Sequence, residues 1–299
     1  MRRPQGGLLI IRTVAIFPNT DKERALQLTA ELADWLRARG ITVRLPAEVA
    51  AGIGRPETGA ADVRTLLDDV DAAFVLGGDG TLLNVAKLVA PRDIPILGIN
   101  LGHLGFLTEI ELPELYRALP RVLAGQYRVE SRMMVEARVI RRGKSKRFLA
   151  LNEVVVSKGP FARLIEVETH IGESLVATYP ADGVIVATPT GSTAYALSAG
   201  GPIVSPNVDS LIVVPVCPHT LAARAVVVAK DEVLRLAIRA DHEDALLTID
   251  GQSGYRLRLS DEITVRRASV VTRLIRLAGW SFYDVLRRKL ADKGGRERG

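Results

Sequence analysis

Between residues 13 and 126 short apolar runs alternate with amphipathic segments of helical period, and this alternation restricts the first part of the chain to a parallel α/β sheet. Leu9 to Phe17 reads as a first strand, clearest over Thr13, Val14, Ala15, Ile16 and Phe17. Thr20 with Glu23 three residues on has the form of a capping box. Ala25, Leu26, Leu32, Ala33 and Leu36 then supply a helical stripe, and Gly40 closes the helix before a second strand at 41–45. Residues 50–59 hold three glycines and a proline and read as a loop before a short helix at 62–69. A buried strand at 72–76 ends at Gly77, a helix is expected over 81–90 up to Pro91, and a strand at 94–99 and a helix at 112–123 follow.

After Tyr127 the pattern turns β-rich. Runs at 133–141, 147–151, 154–156, 164–170, 184–187, 225–228, 233–238, 246–249 and 263–267 predict a second, mostly β domain. Residues 281–290 return to helical spacing and are expected to dock on the first domain. The expected division is an α/β domain at 1–126, a β-rich domain at 127–270, and a C-terminal segment at 271–299 with a frayed basic tail around Lys293, Arg296 and Arg298.

Composition removes several function classes. Forty Lys and Arg against 34 Asp and Glu give a charge of +6, which suits a phosphate-bearing ligand, but with 5% aromatic residues and no basic-aromatic stripe the chain does not read as a nucleic-acid binder. Cys217 is the only cysteine, so an intramolecular disulfide and a paired-Cys zinc site are excluded, and a reducing cytoplasm is expected. The histidines at 103, 170, 219 and 242 show no metal-binding spacing. Arg12 interrupts the apolar run at 8–11, so no secretory signal is expected, and no stretch approaches the roughly 18 to 20 apolar residues that a membrane span needs.

Three constellations carry chemistry. Gly77-Gly78-Asp79-Gly80-Thr81 joins a strand's carboxyl end to a helix's amino end, where open α/β sheets bind ligands. Its glycines permit close approach of backbone amides to phosphate oxygens, and Asp79 can accept a hydroxyl proton or help to hold a magnesium ion; the competing reading is a plain tight turn. The block from Asp182 through Thr188-Pro189-Thr190-Gly191-Ser192-Thr193-Ala194-Tyr195 to Pro202 leads a strand into a Thr/Ser/Gly turn and a helix expected near Ser192, with hydroxyls converging where a phosphate or ribose could sit. Tyr195 adds a flat face. Asn152-Glu153 opens a strand, and exposure to solvent is its default explanation. Gly143-Lys144-Ser145 ends like a P-loop, but Arg138 stands where that motif needs glycine, so residues 141–146 read as a hairpin turn. Gly98, Gly102 and Gly105 have the wrong spacing for a dinucleotide fingerprint and are expected to shape a loop.

These motifs, with Asn100-Leu101-Gly102-His103-Leu104-Gly105-Phe106-Leu107, Pro218-His219-Thr220-Leu221, Arg224 and Asp250-Gly251-Gln252, resemble those of bacterial NAD kinases over nearly the whole chain. The glycine turn alone is shared with diacylglycerol-type lipid kinases, so a lipid kinase and a non-catalytic dinucleotide sensor are the alternatives. The resemblance implies a Rossmann-like first domain, a β-sandwich-like second domain, an active site in the crevice between them, and a homodimer or homotetramer. It also implies ATP, or inorganic polyphosphate, as donor to NAD, with Mg2+ or another divalent ion accompanying the donor and no protein ligand assigned to it. Asp79 would accept the 2′-hydroxyl proton of the adenosine ribose, with Gly77, Gly78, Gly80 and Thr81 forming the phosphate turn. Asn152, Glu153, Asp182, Thr193, Ala194, Tyr195, Ala196, Leu197, Ser198 and Gln252 would hold NAD, with Gly80, Asn84 and Arg163 beside it. Asn84 stands where many members carry a cation, and Pro180 where some carry Arg.

Overall fold

Ala72, Ala73, Phe74, Val75 and Leu76 offer water no polar side chain, so the run is stable as a strand only with both faces covered. The computed structural model describes residues 10–102, 105–159, 163–220, 222–240 and 244–294, with side chains to 291. The chain divides into two compact units, residues 1–131 with 272–299, and residues 132–271. Leu9, His103, Leu104, Leu221, His242 and the end of the basic tail lie outside the described residues.

The first unit contains β1 (Thr13–Pro18), α1 (Glu23–Arg37), β2 (Thr42–Pro46), α2 (Ala47–Gly52), β3 (Gly59–Ala60), α3 (Val63–Leu67), β4 (Ala72–Leu76), α4 (Asp79–Val89), β5 (Ile96–Asn100), β6 (Ile110–Glu111) and α5 (Leu115–Leu123). Its sheet runs β3-β2-β1-β4-β5, all parallel, with β6 added beside β5. Leu28, Leu32 and Leu36 of α1 and Leu115, Leu119 and Val122 of α5 bury Ile16, Phe74, Leu97 and Ile99 in one core. The capping box is not formed: α1 starts at Glu23 after Lys22, with no side-chain cap. Asn19 takes the local amide instead, its Oδ1 accepting from Asp21 N at 3.1 Å, and the resulting turn delays the helix. The expected loop at 50–59 is partly the end of α2, whose Val49 and Ala50 are buried, and Gly54 then turns the chain at φ 70°.

The second unit contains most of β7 (Arg128–Arg141), then β8 (Lys144–Ala150), β9 (Glu153–Lys158), β10 (Ile165–Ile171), β11 (Ser174–Ala181), β12 (Gly183–Ala187), α6 (Tyr195–Ser198), β13 (Ser210–Val216), β14 (Val226–Ala229), β15 (Leu234–Arg239), β16 (Ala245–Ile249) and β17 (Ser253–Leu257). β18 (Glu262–Arg276) leads back to the first unit, which α7 (Phe282–Gly294) completes. A six-stranded sheet, β14-β13-β12-β9-β16-β17, is antiparallel throughout. Val154, Val156, Val184 and Val186 pack from it against Ile165, Val167, Leu236 and Ile238 of the β10 and β15 layer. The β7–β8 turn is Arg142-Gly143, with φ values of 49° and 76°.

In the second unit three of the described strands had no recognised signal. β13 is buried along its whole length, so it lacks the alternation of a half-exposed strand, and Pro215 argues against it locally. β11 and β17 are edge strands and largely exposed.

Asp261 anchors the start of β18. Its fully buried carboxylate accepts from Arg141 Nε at 2.7 Å, Arg141 Nη2 at 2.6 Å and Arg258 N at 2.9 Å. Burial alone would raise its pKa, but the Arg141 fork, the Arg258 amide and the two cationic charges outweigh it and hold the carboxyl below its ordinary value. The stability this supplies is present above the unfolded value near 4 and is lost as pH falls through the lower folded value. Asp261→Asn is therefore expected to cost about 2 kcal/mol at pH 7 in urea unfolding, and the deficit should shrink below about pH 4. A pH-independent deficit would refute the ion-pair account.

Candidate active site

The glycine turn lies where the alternation of strands and helices placed it, between β4 and α4, but the helix begins two residues earlier than expected. Gly78 is the extended N-cap and Asp79 the first helical residue, so a negative side chain sits at the positive end of the helix. Gly80 and Thr81 fall in the first turn, where helix amides lack intrahelical acceptors and a phosphate is well received. Gly77 is required by space: a Cβ there would approach Thr81 Cβ to 2.8 Å.

Two backbone amides hold the Asp79 carboxylate. Phe106 N donates to Oδ2 at 2.8 Å and Leu107 N to Oδ1 at 3.1 Å, leaving each oxygen a further lone pair. A side chain at Gly105 would overlap this carboxylate, and one at Gly98 would approach Thr108 Cα to 2.9 Å. The glycines with the wrong spacing for a dinucleotide fingerprint thus bring residues 105–108 against β5 and the head of α4. Asn84 is exposed on α4.

In the second unit the organising residue is Asp250, which the sequence reading counted in the resemblance but gave no role. Its buried carboxylate accepts from Leu151 N at 3.2 Å, Asn152 N at 2.8 Å and Glu153 N at 3.2 Å. Thr188 closes the other side, donating its hydroxyl to Leu151 O at 2.6 Å and its amide to Asn152 O at 2.8 Å. Gly191 lies so close that a Cβ would reach Asn152 Cα at 2.8 Å. Asp250 and Gly251, with φ of 50° and 64°, form with Gln252 the three-residue turn between β16 and β17, and an Asp-Gly pair between strands reads as turn chemistry, which hid the carboxylate's other task.

Solvent exposure does not explain Asn152-Glu153. Glu153 is 4% exposed, and both Asn152 Oδ1 and Glu153 Oε2 are buried without a hydrogen-bond partner. Burial, and then the charge of Asp250, raise the Glu153 carboxyl to about 8. Tyr195 is 45% exposed at the head of α6; burial, then the charges of Cys217, Asp182 and Glu153, raise its phenol, which brings those side chains into one neighbourhood. Asp182 pairs with Lys158 Nζ at 3.2 Å.

The rest of the block differs from expectation. The helix near Ser192 is a single 3-10 turn over Gly191–Thr193 followed by the four residues of α6. Its hydroxyls mostly serve the turn: Ser192 Oγ donates to Pro189 O at 2.7 Å and accepts from Val204 N at 3.0 Å, and Thr193 Oγ1 donates to Thr190 O at 3.3 Å. Ala196 is buried against Ile185 and Ile212, while Ala194 and Leu197 are partly exposed and Ser198 exposed. Gln252 is exposed beside Asp250. Arg163 is exposed in a hollow lined by Leu164, Glu166, Arg239 and Ala240, none of which belongs to the Asp250 cluster. Among the described residues no group of three or more His, Cys, Asp and Glu could hold a metal ion, and no helix is long and apolar enough to cross a membrane.

Comparison with known proteins covers both units. The ATP-NAD kinase N-terminal domain family matches residues 14–127, and the ATP-NAD kinase C-terminal domain family matches residues 151–277. An NAD kinase of Heliobacterium modesticaldum is 48% identical over 280 residues, 93% of this chain and 98% of that one. An Archaeoglobus fulgidus NAD kinase solved in complex with ATP is 26% identical, with a TM-score of 0.72 over 93% of this chain and 98% of that one. Yeast NADH kinase complexed with NADH shares the fold at 24% identity, with a TM-score of 0.84 over 90% of this chain and 84% of that one. The lipid-kinase and sensor alternatives are not favoured by these matches, which run through the first unit's glycine turn and the second unit's Asn152-Glu153 cluster alike, and on them the chain belongs to the ATP-NAD kinase family.

Proposed function

We propose that this chain transfers the γ-phosphate of ATP to the 2′-hydroxyl of the adenosine ribose of NAD, giving ADP and NADP, with Asp79 receiving the hydroxyl proton. The observation that carries the proposal is the setting of Asp79: one carboxylate at the amino end of α4, held by two amides, within a turn whose glycines admit phosphate oxygens. A carboxylate is a weak base toward a ribose hydroxyl. Strength matters little in phosphoryl transfer, whose loose transition state rewards in-line placement and charge neutralisation over early proton removal. Asp79 therefore orients the hydroxyl and takes its proton late. Gly77, Gly78, Gly80 and Thr81 line the phosphates.

Magnesium would neutralise charge on the donor phosphates. The donor set fits an ion arriving with the nucleotide: the described residues form no carboxylate cage, and Asp79 keeps one lone pair on each oxygen, as suits an ion held mainly by phosphates and water. Inorganic polyphosphate ends in the same phosphoryl group and is included as a donor.

NAD is assigned to the second unit. Asn152 Oδ1 accepts a hydroxyl hydrogen, and neutral Glu153 donates or accepts one, which supplies the partners these buried atoms lack. Tyr195 offers its exposed ring as a stacking face beside Asp182. Thr193, Ala194, Ala196, Leu197, Ser198 and Gln252 complete the proposed NAD contacts, with Gly80, Asn84 and Arg163. A cytoplasmic homodimer or homotetramer is part of the same proposal.

Incubation with Mg-ATP and NAD should yield NADP, read with a strictly NADP-dependent dehydrogenase, and Asp79→Asn should lower kcat by roughly 10²- to 10⁴-fold while changing KM for NAD only a few-fold. Undiminished turnover in that variant would remove Asp79 from the reaction. Tyr195→Ala should raise KM for NAD well above any change in KM for ATP; equal changes would make the ring structural. A carboxyl raised to about 8 lends the fold stability that is fully present below its unfolded value near 4.3 and is lost as pH climbs to 8. Glu153→Gln mimics the neutral acid, so it should keep KM for NAD within a few-fold at pH 7, and its melting temperature should gain on the unsubstituted chain between about pH 5 and pH 8. A constant gap across that range would show that Glu153 is ionised throughout.

A further inference from the structure

The segment that supplies Asp79 with its two amide donors is neither helix nor strand, so residues 105–109 must find partners for their own backbone elsewhere. Four of the five amides have these partners: Gly105 N donates to Thr108 Oγ1 at 3.0 Å, Phe106 N and Leu107 N donate to Asp79, and Glu109 N donates to Gly98 O at 2.9 Å. The carbonyls turn to one side chain. Arg276 Nη2 donates to Phe106 O at 3.2 Å, and Nη1 donates to Leu107 O at 3.2 Å and Thr108 O at 3.3 Å. The same guanidinium meets Glu109 Oε2 at 3.1 Å and Glu130 Oε2 at 3.3 Å, and lies 3.7 Å over the ring of Trp280.

Arg276 is fully buried, an expensive place for a cation. Burial pushes its guanidinium down, against the pull of Glu109 and Glu130, and pushes the Glu109 carboxyl up, against the pull of Arg276 and the Leu277 amide. Apolar residues of the same volume would commonly be as stable, so stability alone is a poor reason for the cluster. Only a rigid, planar fork with five donors can meet three successive carbonyls and two carboxylates; a lysine ammonium is a point charge with three donors. The fork fixes how the segment is rotated about its own axis, with carbonyls toward Arg276 and amides toward Asp79.

We propose that Arg276 is a positioning residue for the phosphoryl transfer: holding the carbonyls of residues 106–108, it keeps the amides of Phe106 and Leu107 aimed at Asp79 and so fixes the carboxylate that receives the ribose hydroxyl. This role rests on Asp79 being the acceptor proposed above. The test compares Arg276→Lys, Asp79→Asn and the double variant. Arg276→Lys should lower kcat about 30-fold, since misplacement near 1 Å can cost about 10² in rate, with KM for NAD held within threefold. The Phe106 and Leu107 amides should exchange with solvent at least about tenfold faster, and in the Asp79→Asn background the lysine should cost less than about twofold more. Full turnover in Arg276→Lys, or losses that simply multiply in the double variant, would overturn the proposal. If Asp79→Asn itself turns over normally, the acceptor assignment fails first; if it is inactive while Arg276→Lys is normal, only the positioning role fails. Should Arg276→Lys not fold, Trp280→Leu removes the face on which the guanidinium lies, and about a fivefold loss of kcat with the same non-additivity is expected; unchanged turnover and exchange there would overturn the proposal as well.

Discussion

A peptide N–H withdrawn from water must find an acceptor, and in both units the acceptor that organises the site is a carboxylate reaching in from another segment. Asp79 takes the amides of Phe106 and Leu107; Asp250 takes those of Leu151, Asn152 and Glu153. Much local structure follows from these two demands. Gly105 and Gly191 lack side chains where the captured segments come closest, and Thr188 locks the strand entry that Asp250 holds. The first carboxylate accepts two amides and keeps a lone pair on each oxygen, while the second accepts three.

That occupation has a cost, and the cost is chemically useful. Asp250 draws the nearby amides to itself, so Glu153, buried beside it, has an oxygen with no donor to stabilise an ionised form. Burial and the adjacent negative charge then keep Glu153 protonated to about pH 8. A neutral acid can both give and receive a hydrogen bond, which a carboxylate cannot. Arg276 shows the same economy in the first unit, where one buried side chain answers for three carbonyls of a segment without regular structure.

The alternation of apolar runs and helices made the parallel sheet legible, because the 3.6 and 2.0 periods survive in any strongly amphipathic element. β4 is apolar on both faces and was legible instead as a short apolar run closed by Gly77, which placed the Asp79 turn. β13, equally buried, is interrupted by Pro215, and β11 and β17 lie at sheet edges. The ends of α1 and α4 shifted by two or three residues because caps depend on which local amide a side chain such as Asn19 captures.

The residues of the candidate sites divide in the same way. By itself the sequence determined the fold class, the family resemblance and the chemistry-bearing types: a carboxylate among glycines at Asp79, an Asn-Glu pair at 152 and 153, and an aromatic at Tyr195. Only the tertiary structure decided that Asp250 is a clamp as well as a turn residue, that Glu153 is buried and protonated, that the hydroxyls of Thr188 and Ser192 serve the backbone, and that Arg276 stands behind Asp79. The reason is physical: residue type and spacing report local conformation, whereas the roles of Asp250 and Arg276 arise from peptide groups that meet side chains about 100 to 170 positions away in the chain, and a one-dimensional pattern carries no record of such encounters.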